Sequence, residues 1–172
     1  MLKSAIRDTN PVLFFEHKRT YRLIKEDVPE EDYEVPLSKA RVHREGADLT
    51  VVSYGLMLND VMLAAEKISK EHGIESEVVE PISLYPLDRE TILSSAKKTG
   101  KTLVVSEANL EGSVSGEIAA LIAEHAFEWL DGPVRRLGSP DSPAAPFARP
   151  LTDAFVPSAA AIEAAMLDLA RY

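Results

Sequence analysis

The 172 residues carry 28 acidic against 19 basic side chains, a formal net charge of −9, with 45% apolar and 27% charged residues. That length allows one compact domain plus an appendage, and such a chain buries roughly 70% of its unfolded surface, so it needs no metal or disulfide to hold it together. The acidic balance argues against nucleic acid or an anionic membrane as the main partner, and the lack of cysteine excludes thiol catalysis, Cys-ligated zinc and disulfides.

Met1 to Asn10 lacks the apolar core of a signal peptide, and no apolar run approaches the roughly 18 residues of a membrane-spanning helix. A soluble, cytoplasmic protein is the expectation. Leu2–Arg7 reads as the end of a helix and Val12–Glu16 as a buried strand, with Asn10-Pro11 as the turn between them. One helix end and one strand cannot build a core. Residues 1–24 therefore read as the remnant of a preceding domain.

Residues 25–36 follow as an acidic linker, with six carboxylates between Glu26 and Glu34. A cation site or a docking strip would use such charge; a solvated, self-repelling linker is the favoured reading. From residue 37 strands and helices alternate. Ala40–Arg44 reads as a polar-interleaved edge strand, Leu49–Tyr54 as a buried strand, and Leu56–His72 as a helix stopped by Gly73, with Leu58, Val61, Ala65 and Ile68 on its apolar stripe. Glu77–Glu80 is the next strand. Asp88 caps a helix through Lys98 that Gly100 ends. Thr102–Ser106 is a strand, Glu117–Leu130 a long helix and Val134–Leu137 another strand. Four prolines punctuate residues 138–150, and a final helix starts at Pro157-Ser158. This alternation predicts an α/β fold: a three-layer α/β/α sandwich over residues 37–172 with a mostly parallel sheet.

Ligands in such sheets sit beyond the carboxyl ends of the strands. Those ends carry Tyr54-Gly55, Glu80-Pro81, Ser106-Glu107 and Gly138-Ser139, and none opens a G-x-G-x-x-G turn or a phosphate loop with its lysine. Gly112-Ser113-Val114-Ser115-Gly116 has valine where a nucleophile elbow needs serine. Its position before a helix leaves two readings open, an anion site at free N–H groups and glycines that merely let the loop turn. His17, His43, His72 and His125 show no i, i+4 pair and no zinc-protease signature. Glu107 is the one carboxylate at a strand end in a cleft position. The motifs alone define no active site.

The order of several short segments is more telling. Asp8-Thr9-Asn10-Pro11-Val12-Leu13-Phe14-Phe15-Glu16, Val35–Ala40, Leu49–Gly55, Pro86-Leu87-Asp88-Arg89-Glu90-Thr91-Ile92, Lys98-Thr99-Gly100-Lys101, Glu107-Ala108, Gly116-Glu117-Ile118-Ala119 and Leu130–Arg136 resemble, in this order, the C-terminal half of the beta subunit of the decarboxylating component of 2-oxo acid dehydrogenase complexes. Phe15-Glu16-His17-Lys18 with Tyr21-Arg22 is more similar to the branched-chain (2-oxoisovalerate) enzymes than to the pyruvate ones. The sequence departs from the family at Gly112-Ser113, where a second glycine is usual, and in the wider proline spacing of residues 141–146.

The resemblance implies a transketolase C-terminal-type domain behind the end of a thiamine-binding domain. The complete enzyme would be a heterotetramer of two alpha and two beta subunits, using thiamine diphosphate and magnesium. It would decarboxylate a branched 2-oxo acid and pass the acyl group to lipoyl arms of the acyltransferase core. No position here matches the family's catalytic histidine or its cofactor-activating glutamate, so the resemblance implies no catalytic or cofactor-binding residue in this chain and little activity for it alone. It does imply two sites. Backbone oxygens of Ala5, Asp8 and Asn10 match part of a potassium site. Asp131 and the terminal carboxylate of Tyr172 match the acidic groups that face arginines on the acyltransferase's subunit-binding domain.

Overall fold

A computed structural model describes residues 1–25 and 27–172. Glu26, the first of the linker carboxylates, lies outside them. Five strands form one sheet: β1 (Ala40–Arg44), β2 (Leu49–Ser53), β3 (Ser76–Pro81), β4 (Thr102–Asn109) and β5 (Arg135–Ser139). Their order is β1-β3-β2-β4-β5, parallel throughout except that β1 runs antiparallel to β3 at the edge. Only β1 interleaves polar with apolar residues, as a strand solvated on one side does. β2, in contrast, is buried at every position.

Alternation along the buried strands sends side chains to two separate cores. Leu49, Val51, Val78, Leu103 and Val105 meet α3 (Met57–His72) and α7 (Ala159–Ala170) through Val61, Ala65, Ile68, Ile162 and Met166. Val52, Val79 and Val104 meet α4 (Arg89–Thr99) and α5 (Val114–His125) through Ile92, Ala96, Ile118 and Ile122. Helices on both faces make this the expected three-layer α/β/α sandwich. Thr50 shows why a polar residue survives in β2. Its hydroxyl donates to the Ser95 carbonyl at 2.9 Å and lies 2.8 Å from the Thr99 hydroxyl, so α4 satisfies it without water.

Local chemistry sets the helix ends. Asp88 accepts the Thr91 N–H at 3.2 Å and hydroxyl at 2.8 Å, and it accepts the Ala40 N–H of β1 at 2.9 Å. Burial works to raise its carboxyl, but these donors outweigh it and hold the group below the ordinary range. One side chain thus caps α4 and pins the edge strand. Gly73 and Gly100 end α3 and α4 at φ of +69°, the left-handed conformation that glycine adopts without strain.

Three expectations need correction. Val12–Glu16 is not a strand and is not buried. Among the described residues the segment forms no strand pairing, leaving Leu13 84% and Phe15 88% exposed. A strand is completed by a neighbour's hydrogen bonds, and no free edge of this sheet meets it. The long helix begins at Val114 and ends at His125, and a single 3-10 turn at Phe127–Trp129 follows it. Two short helices were not foreseen, α2 (Thr20–Leu23) and α6 (Arg149–Phe155), the latter started by Pro150 in its first turn. The acidic linker is also less self-repelling than its charge implies. Asp32 pairs with Lys3 at 2.8 Å and Arg7 at 2.9 Å, and Glu34 pairs with Arg7 at 2.6 Å. The linker is thereby folded back on α1 (Leu2–Arg7).

Candidate functional site

The carboxyl edge of the sheet is the first place to look. From β2 the chain crosses to β3 on one side and from β3 to β4 on the other, so the strand order reverses between β2 and β4. Glu107 stands there, 3.1 Å from His17 of the N-terminal segment. The Ser139 hydroxyl of β5 donates to the Glu107 carbonyl at 2.7 Å. Nearby, Ser53 and Ser106 are buried, and burial pushes the Tyr54 phenol above its ordinary pKa, with a Ser106 hydrogen bond working against it.

At the loop before α5, the Ser113 and Ser115 hydroxyls pair with each other at 2.6 Å. Neither Ser113 nor Ser115 has a histidine among its hydrogen-bond partners. A Cβ on Gly116 would come within 3.3 Å of the Arg136 guanidinium. The arrangement holds no nucleophile, base and orienting acid in sequence.

The four histidines are each engaged elsewhere. His43 meets Glu80 at 2.7 Å across β1 and β3, and His125 accepts from Arg89 at 2.8 Å. His72 groups with Glu71 and Glu163 where the end of α3 lies beside the start of α7. Sequence spacing misses that trio because Glu163 comes from another helix. The ammonium of Lys67 already pairs with Glu163 at 2.8 Å.

The residues implicated by resemblance fare differently from one another. Ala5 belongs to α1, Asp8 ends it, and Asn10 follows. The Asp8 carboxylate accepts both the backbone and side-chain N–H groups of Asn10, at 2.8 and 3.0 Å. These bonds, the backbone one foremost, hold its carboxyl below the usual range. Both bonds fall on Oδ1, which leaves Oδ2 outside the turn, beside its backbone carbonyls.

Asp131 and Tyr172, distant in sequence, are brought together. The Asp131 N–H donates to the Gly100 carbonyl at 2.7 Å. Its Oδ2 lies 2.4 Å from where a Cβ on Gly100 would stand. The Tyr172 ring packs on the neighbouring Gly132, 3.2 Å from the corresponding Cβ position. Both residues are exposed. Beside them, Lys97 of α4 sits 4.2 Å over the Trp129 ring, and Phe127 is 74% exposed. Sequence reading missed these aromatics. A helix continued to Leu130 places Trp129 two turns beyond Ile122 on the buried stripe, whereas the break after His125 turns it outward.

Similarity to known proteins bears on the fold. The family "Transketolase, C-terminal domain" matches residues 38–162. The chain is 49% identical over its whole length to the 2-oxoisovalerate dehydrogenase subunit beta of Bacillus subtilis, covering 52% of that protein. It is 41% identical over 98% of its length to the acetoin:2,6-dichlorophenolindophenol oxidoreductase subunit beta of the same organism, and covers 48% of it. To the B. subtilis pyruvate dehydrogenase E1 component subunit beta it is 42% identical over 83% of its length, covering 43% of that protein. Among solved structures, a split gene transketolase described as an inactive beta4 tetramer aligns with a TM-score of 0.66 and 28% identity, over 85% of this chain and 46% of that one. The chain thus spans about half the length of the curated relatives it matches. With the matched region taking in all five strands and α3, α4 and α5, this chain belongs to the transketolase C-terminal domain family.

Proposed function

We propose that this chain is the C-terminal part of the beta subunit of a thiamine-dependent 2-oxo acid dehydrogenase of the branched-chain type. The observation that carries the reading is the likeness to the 2-oxoisovalerate dehydrogenase subunit beta along all 172 residues. It includes the first 37 residues, which the domain match leaves out. In this reading residues 1–24 are the remnant of the thiamine-binding domain, 25–36 the linker, and 37–172 the transketolase-like domain. Partner subunits are an alpha chain and a second beta chain.

Thiamine diphosphate, with magnesium, supplies the electron sink for decarboxylation in the assembled enzyme. The carboxyl edge described above has no diphosphate turn, so this segment is assigned no share in holding it. The carbonyls of Ala5, Asp8 and Asn10 supply part of a potassium site. The chain's own contribution is structural and docking: Asp131 and the Tyr172 carboxylate receive arginines of the acyltransferase's subunit-binding domain. There the acyl group passes to a lipoyl arm.

Reconstitution tests the assignment. The chain is combined with an alpha subunit and a thiamine-binding beta segment, and turnover of 2-oxoisovalerate and pyruvate is compared. Activity that needs this chain and favours 2-oxoisovalerate is expected. A preference for pyruvate selects the pyruvate dehydrogenase alternative, and activity indifferent to the chain leaves it a non-catalytic interaction domain. Docking has its own measurement. Asp131→Ala should weaken capture of the subunit-binding domain about tenfold or more, equivalent to about 1.4 kcal/mol. Unchanged affinity would remove Asp131 from the interface.

A further inference from the structure

A groove of about 750 Å³ lies between α2, the edge strand β1 and the outer side of α3. The sandwich leaves this edge without a helix of its own, since α3 and α7 cover the central strands and only the short α2 roofs the rest. Its apolar wall comes from Leu23, Ile24, Leu56, Met62 and Leu63. Leu23 and Leu63 are more than 60% exposed, so the wall is open to a small ligand. The volume falls in the range of small-molecule sites, which favour such joints between a domain and its neighbour.

The charged groups on the groove sort into two kinds. His43 is taken by Glu80, Arg44 by Glu75 and the Ser76 carbonyl, and Glu66 by Lys70. Arg19 and Asp60 make no side-chain hydrogen bond or ion pair among the described residues. They also make none with each other, although both line the same space. Arg19 and Asp60, a cation and an anion unpaired among the described residues, border an apolar wall. That combination is complementary to a small zwitterion carrying an apolar side chain. Its carboxylate would take the planar fork of Arg19. Its ammonium would take Asp60, and the side chain would cover the exposed Leu23 and Leu63.

We infer that this groove is a binding site for a free apolar α-amino acid. The assignment is independent of the 2-oxo acid reading, since it rests on the groove's own charges and not on the docking or catalytic surfaces. Isothermal titration of L-leucine into the full 172-residue chain tests it, with isovalerate and isoamylamine as probes that keep the apolar body and only one charge each. Saturable binding of leucine is expected, at least tenfold tighter than either probe. Arg19→Ala and Asp60→Asn should each weaken leucine at least tenfold with unchanged far-UV circular dichroism, and Lys18→Ala, off the groove, should leave it unchanged. Absence of saturable leucine binding overturns the inference. So does equal affinity for isovalerate and leucine, because it makes Asp60 irrelevant, and so does binding that survives both variants.

Discussion

Glu77 shows how much one side chain can hold at stake. It is 2% exposed in β3, and its carboxylate is paired with Lys98 of α4, which also reaches Glu45 at 2.9 Å. Lys98, then Glu77, hold the Glu45 carboxyl below its ordinary value. Removing Lys98 leaves a buried carboxylate without its counter-charge, a costlier event than losing a surface pair. Lys98→Met should therefore lower unfolding free energy by about 2–3 kcal/mol, measured by urea denaturation. Adding Glu77→Leu should restore most of the loss, because the orphaned charge is then gone. A second residue-scale prediction concerns Gly100. Alanine there must adopt a φ of +69° and place its Cβ 2.4 Å from the Asp131 carboxylate. Gly100→Ala should cost about 1–3 kcal/mol and weaken docking at Asp131 although it touches no partner. Unchanged docking would show that Asp131 can move without consequence.

At the scale of elements, the parts legible in the sequence were those whose determinants are local. The β2 run Leu49–Ser53, the cap at Asp88 and the glycine stops at Gly73 and Gly100 need no knowledge of the rest of the chain. Val12–Glu16 has a strand's composition, but pairing is a property of two segments, and one was absent. The end of α5 was misread because Phe127 and Trp129 continue the apolar content of the helix while the backbone does not continue its hydrogen bonds. The linker's charge pattern was plain, yet its partners Lys3 and Arg7 lie on another element. That contact gives a pH prediction. Hydrogen bonds from Lys3 and then Arg7 lower the Asp32 carboxyl to about 2. A carboxyl depressed in the folded state contributes its stability above its unfolded value near 4, and the contribution is lost as pH falls through the folded value. Amide protection over residues 2–7, relative to the intrinsic exchange rate, should therefore fall between about pH 4 and 2, and also on adding salt at neutral pH. Exchange that ignores both would show the pairs to be inconsequential.

For the whole molecule, the sandwich was read from alternation, but the site was not. Asp131 and Tyr172 entered through resemblance, and the fold sets the Tyr172 ring against Gly132, the residue after Asp131. The Arg19–Asp60 groove needs α2 beside α3, a proximity no spacing encodes. The same fold leaves one region unsatisfied. Leu13 and Phe15 are almost fully exposed beside Val12 and Phe14, while the acidic groups that would keep copies apart are partly neutralised by Lys3 and Arg7. Contiguous exposed apolar side chains on an unpaired extended segment favour association through that segment. The chain should show concentration-dependent self-association in sedimentation velocity. Leu13→Asp with Phe15→Ser should shift it toward monomer without altering the melting of the sandwich, because neither side chain belongs to its two cores. Addition of a thiamine-binding beta segment should suppress self-association of the unmutated chain in the same way, since the two would compete for one surface. Association that persists in the double variant would place the interface elsewhere, with the exposed Tyr85 and Phe147 as the next surfaces to change.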